Sequence, residues 1–179
     1  MKKRMGMWVA ILAVSTAGYA AWSAAVVYAE EAAANADKAA ADAEFAKKNY
    51  ARAVELYKKA LETIGRSHAD APFVEERIRD CWLGMRRWDD ALAAAKDTVG
   101  ARPSSYYSAR ANAFIGRVSA NMPHYYYKKD NVISRGEWVQ DGEYHWTEYD
   151  DYRNASAAFE AALVIYEALQ ASADADLAK

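Results

Sequence analysis

Small and aromatic residues recur along this chain at helical spacing, three times and in the same order. The first run, Asn49–Leu61, places Tyr50, then Ala53, Tyr57 and Ala60. The second, Arg87–Val99, places Trp88, Ala91, Ala95 and Thr98; the third, Asp151–Leu163, places Tyr152, Ala155, Phe159 and Ala162. Steps of three, four and three residues keep each set on one face of a helix. A small residue on that face lets a neighbouring helix approach, and the aromatic fills the space beside it.

The pattern predicts helices near 49–64, 88–100 and 150–171. Hydrophobic residues make up 53% of the 179, many of them alanine, and there are three prolines, a composition that favours packed helices over a sheet. The stretch 171–176 is expected to fray.

Residues 123–149 interrupt the helical period. Asp141-Gly142 is a two-residue hairpin signal, and it pairs Gln140 with Glu143, Val139 with Tyr144, Trp138 with His145 and Glu137 with Trp146. Strand alternation then puts Val139, Tyr144 and Trp146 on one face and Trp138 and His145 on the other. An isolated hairpin is marginal in water, so one face is expected to pack on the helices. Either the aromatics glue the insertion down, or Tyr126, Trp138, Tyr144, His145 and Trp146 offer a partner large contact area at low entropic cost.

The aromatic and alanine order resembles the second helix of a tetratricopeptide repeat, a helix–turn–helix unit of 34 residues. Trp82 fills the late aromatic position of the second unit's first helix, and Pro103 follows Ala91 by twelve residues, where the family's closing proline belongs. The family's early Trp and Leu-Gly pair are absent. Tyr50 to Trp88 is 38 residues, the excess over one period fitting the loop His68–Pro72; Trp88 to Tyr152 is 64, the excess falling inside the third unit. The resemblance covers about 34–168. It implies an all-α, tetratricopeptide-like stack with a small β-hairpin insertion, as one domain over 30–179 with units at about 31–64, 72–103 and 104–171, in which first helices near 31–47, 72–86 and 104–121 pair with the second helices near 49–64, 88–100 and 150–171.

The resemblance also implies a concave groove lined by first helices. Counting back from each signature places Lys38, Asp42 and Phe45 there from unit one, Glu76, Asp80 and Leu83 from unit two, and Tyr107, Arg110, Phe114 and Arg117 from unit three. Glu76, Asp80, Tyr107, Arg110, Phe114 and Arg117 form the candidate partner site. The arginines suit a carboxylate or the polar backbone of an extended peptide. Alternatively, Glu76 and Asp80 pair with those arginines across the unit boundary.

Lys2-Lys3-Arg4 followed by the uncharged stretch 5–29 reads as an export signal ending before Glu30-Glu31. Val27-Tyr28-Ala29 offers a cleavage site, whereas 25 uncharged residues would span about 37 Å as a helix, enough to anchor the chain in an inner membrane. Both fates place the repeats outside the cytoplasm, in the periplasm or beyond. Net charge is −2, and about −5 once the three leader cations are subtracted, which gives no attraction to nucleic acid. Lys128-Lys129 alone does not change that.

The single cysteine, Cys81, reads as a buried small residue. His124 and His145, with Glu143 or Glu148, match no metal-ligand spacing, and no nucleophile, phosphate-loop or dinucleotide motif occurs. Neither catalysis, nor a cofactor, nor a metal is therefore expected. The expected function is a protein–protein interaction scaffold of an extracytoplasmic envelope or secretion complex. The alternatives are a structural subunit of a homo- or hetero-oligomer, and a glycan or small-ligand module built on Trp138, Tyr144 and Trp146.

Overall fold

The computed structural model describes residues 31–177. The leader read over residues 1–29 lies outside them, and among the described residues no helix is long and apolar enough to cross a membrane. Three helix pairs follow in order: α1 (31–46) with α2 (Tyr50–Ile64), α3 (Ala71–Gly84) with α4 (Trp88–Ala101), and α5 (Tyr106–Asn121) with α6 (Glu148–Leu177). Between α5 and α6 the chain forms a three-stranded antiparallel sheet of β1 (Tyr125–Lys129), β2 (Val132–Arg135) and β3 (Glu143–Trp146). Consecutive helices pack on one another, giving an all-α stack with a small β insertion, compatible with a helical repeat.

The turns inside the first two pairs are built alike. Lys48 and Arg86 both take positive φ, 62° and 58°. The next amide then reaches back five residues, Asn49 N–H to Glu44 O and Arg87 N–H to Trp82 O, each at 2.9 Å. This is a Schellman closure made without glycine. Asn49 and Arg87 also share a conformation, φ −82°, ψ 65° and φ −87°, ψ 71°. Lys48 and Arg86 are 38 residues apart, as are Tyr50 and Trp88, so the backbone repeat and the side-chain repeat are in register.

The signature faces form the core. Ala53, Tyr57 and Ala60 are fully buried, with Ala41 from α1 and Val74, Ile78 and Cys81 from α3 around them. Ala91 and Ala95 pack with Phe114, Ile115, Val118 and Ala158 in a second cluster, and Trp82 touches both. Cys81 is free and buried, and burial pushes its thiol up to about 11. In the third pair Ala155 and Ala162 are buried against α5, but Phe159, at the position of Tyr57, is 47% exposed. No further helix follows among the described residues to cover it. The frayed tail expected over 171–176 is instead helical through Leu177, because neither glycine nor proline interrupts an alanine-rich run.

The sheet departs from the expected hairpin. Its tight turn is Asp130-Asn131, both with positive φ (49° and 63°), which joins β1 to β2. Asn and Asp enter that region readily, and two successive positive φ values match the right-handed twist of a hairpin. Asp141-Gly142 also turns the chain, with Asp141 at φ 59° and Gly142 N–H bonded to Val139 O at 3.1 Å, but it closes a loop. Residues 137–140 are therefore not a strand, and β3 pairs with β1: Tyr125 with Trp146, Tyr126 with His145, Tyr127 with Tyr144. The tyrosine run forms the central strand of the order β2-β1-β3.

A buried carboxylate ties this sheet to the stack. Asp151, in the first turn of α6, accepts from Thr147 Oγ1 (2.6 Å) and from Arg135 Nη1 (3.2 Å), and lies 3.2 Å from His124 Nδ1. Arg135 also reaches Pro123 O at 3.1 Å and Asp89 on α4 at 3.3 Å. The sheet is thus held by a polar tether at its base rather than by an apolar face laid on the helices, contrary to the sequence expectation. Removing one partner strands the other charge away from water. Asp151→Ala should destabilise the chain by about 3 kcal/mol, seen as a lower midpoint in urea unfolding, whereas Asp150→Ala on the exposed side should leave the midpoint nearly unchanged.

Candidate partner-binding groove

A recess of about 310 Å³ opens between α3 and α5, with one wall completed by Tyr166 of α6. Glu76, Arg79 and Asp80 line it from α3, and Arg110, Ala113, Phe114 and Arg117 from α5. Each set follows the helical period, so the side chains stand one above another along their helices. Arg79 and Arg117 flank the Phe114 ring, at 5.1 and 5.7 Å from its centroid. Tyr166 meets Tyr106 edge to face at 6.2 Å and closes the end of the recess.

The electrostatics separate into a buried tier and an open one. Arg79 is buried; its Nη1 donates to Thr98 Oγ1 at 3.2 Å and its Nη2 lies 3.6 Å from Glu76. Arg110, exposed, joins the same Glu76 at 3.2 Å. Asp80 and Arg117 take part in no ion pair among the described residues. Desolvation raises the Asp80 carboxyl above its ordinary range, outweighing the pull of Arg77, Arg79, Arg117 and Arg110.

Five of the six groove residues expected from sequence are therefore brought together: Glu76, Asp80, Arg110, Phe114 and Arg117. The cross-boundary alternative also holds in part, since Glu76 pairs with Arg110 while Asp80 does not pair. Tyr107 lies outside the recess, exposed and in edge contact with Tyr106 at 5.8 Å. Leu83 packs into the cluster around Ala91 and Phe114 instead of facing the groove. In unit one Lys38 pairs with Asp70 at 3.2 Å, Asp42 accepts from the Tyr57 hydroxyl, and Phe45 meets Tyr50 at 5.5 Å, so these are occupied in packing. Sequence reasoning missed Arg79 and Tyr166. The i, i+3 spacing of Glu76 and Arg79 was a readable signal for the first; Tyr166 lies beyond the signature, and no local pattern marks it.

The insertion residues divide between two faces. Tyr144 and Trp146 are exposed, and Tyr125 and Tyr127 share their face, with Tyr125 and Tyr144 stacked at 6.0 Å. Tyr126 and His145 occupy the opposite face, stacked at 4.6 Å and interplanar 18°. Trp138 stands in the loop after β2, 71% exposed, and belongs to neither strand face.

No family model and no curated protein matches the chain. Burial sorts its arginines: Arg79→Ala should cost about 3 kcal/mol and lower the urea midpoint, whereas Arg117→Ala should stay within about 1 kcal/mol.

Proposed function

We propose that the chain is a tetratricopeptide-type scaffold acting outside the cytoplasm, in an envelope or secretion assembly, and that it binds a partner protein rather than catalysing a reaction. One observation carries this reading: the recess between α3 and α5 gathers five of the residues that the tetratricopeptide resemblance implies, and Asp80 and Arg117 enter no ion pair among the described residues. Arg110 and Arg117 supply planar donors for a carboxylate or a peptide carbonyl, Asp80 accepts from a backbone amide, and Phe114 supplies an apolar floor. Such a surface suits an extended segment better than a small apolar ligand.

The test is co-purification of the partner from the native source with the tagged full chain. Arg110→Glu combined with Arg117→Glu should abolish it; unchanged recovery removes the groove from the function. The raised Asp80 carboxyl adds a pH dependence. Near pH 7 the carboxylate offsets one guanidinium, and as pH falls it takes up a proton before ordinary carboxylates do, because desolvation raises it. The groove then becomes more cationic, so an acidic partner segment should bind more tightly as pH falls, and Asp80→Asn should flatten the profile.

A second reading, a subunit of an oligomer, is favoured by the outer face of α6, which no helix among the described residues covers. Phe159, Leu163 and Val164 are exposed on α6. Light scattering at micromolar concentration decides it: a monomer retires this reading, and an oligomer that Phe159→Ser with Leu163→Ser dissociates supports it.

A further inference from the structure

We propose that β2 is a docking edge, and that an extended segment of a partner protein adds to it as a fourth strand in the cleft between β2 and the turn joining α3 to α4. This site is separate from the groove and does not rest on it.

The backbone register supplies the first argument. Lys129 and Val132 face each other across the two-residue turn and form the closing hydrogen-bonded pair, and Tyr127 with Ser134 forms the next. Gly136 N–H donating to Tyr125 O at 3.1 Å continues the same alternation. The N–H and C=O of Ile133 and Arg135 therefore point away from β1, and no backbone group among the described residues meets them. Edge strands in soluble proteins are commonly blunted by proline, bulges or lysine. β2 is short and ends on one charge, Arg135, which is taken up by Asp89 and Asp151; it has no proline, bulge or lysine, and it exposes Val132 and Ile133.

The cleft supplies the second. It holds about 490 Å³ between Met85, Arg86 and Trp88 on the helix side and Val132 to Arg135 on the strand side. No residue of β1 or β3 lines it, so it lies along the outer flank of β2 and not beneath the sheet.

Charge supplies the third and defines the occupant. Arg87 pairs with Asp90 at 2.6 Å and Arg135 with Asp89 at 3.3 Å, whereas Arg86 and Glu137 enter no ion pair among the described residues. They stand on opposite walls. The segment that fits carries a β-branched or aromatic residue toward Ile133 and Trp88, an acidic residue toward Arg86 and a basic one toward Glu137. Main-chain hydrogen bonds give it affinity, and these side chains give it selectivity.

The probe is a linear peptide library panned on the full chain and, in parallel, on Ile133→Pro. Proline there removes an outward N–H and leaves the β1–β2 pairs intact. Peptides enriched on the unaltered chain alone should slow exchange of the Ile133 and Arg135 amides by about tenfold. Methylating alternate peptide nitrogens should weaken binding about tenfold in one frame and little in the other, an arm that does not depend on any variant folding. Arg110→Glu with Arg117→Glu should leave these peptides bound. The proposal is overturned if no peptide distinguishes the unaltered chain from Ile133→Pro, if both methylated frames bind equally, if those two amides gain no protection, or if the arginine double variant loses the peptides.

Discussion

A carboxylate buried between α3 and α4 sets the geometry of the groove. Glu75 meets Arg102 at 2.6 Å and Thr98 Oγ1 at 3.1 Å. A buried charge needs a partner and hydrogen bonds together, which accounts for threonine at the third small position of the second signature, where the first and third have alanine. Thr98 also receives Arg79, Arg79 approaches Glu76, and Glu76 receives Arg110 on α5. The polar chain therefore runs from α4 through α3 to α5, across the boundary between two units. Apolar packing of Ala91 and Ala95 is non-directional; hydrogen bonds with fixed lengths set how the walls of the recess face each other.

Asp151 does for the insertion what Glu75 does for the groove. It stands one residue before Tyr152, the first position of the third signature, so the element that restarts the helical repeat also receives the sheet's anchor. Arg135 carries that anchor to Asp89 at the start of α4. The sheet is consequently fixed to two second helices at once, and the α3–α4 turn is brought opposite β2. The repeat absorbs a long insertion because the interruption falls at a turn, outside the packed faces.

The helix pairs were legible because alanine and aromatic order is a one-dimensional signal with a fixed period. The recess was legible only through the resemblance to the tetratricopeptide repeat, and the departures follow from the coarseness of counting back from each signature: Leu83 faces the neighbouring core and Tyr107 sits beyond the recess. The sheet was not legible in detail. Asp130-Asn131 and Asp141-Gly142 both offer residues that tolerate positive φ, and local chemistry does not choose between them. Long-range ties chose: Thr147 N–H to His124 O at 2.8 Å and Arg135 to Asp151 make Tyr125–Lys129 the central strand. Arg79 was read past because a charged residue on a helix is ordinarily solvated, and its partner Thr98 lies on another helix.

The third unit shows what the repeat's packing rule demands and does not receive. Tyr57 and Phe159 hold equivalent positions, yet Tyr57 is sealed beneath α3 and Phe159 has solvent on one side. The Phe159 ring also lies against Gly116 of α5, where an added Cβ would come within 2.9 Å of it, so the ring is seated on its own unit and open outward. The equivalent positions of α2 and α4, Tyr57 and Ala95, are both buried, whereas among the described residues no helix follows α6, which is 30 residues long where α4 has 14. Its inner face completes the core, Tyr166 closes the groove, and Leu163 and Val164 remain outward. The same helix therefore joins the recess on its inner side to the apolar face that no described helix covers.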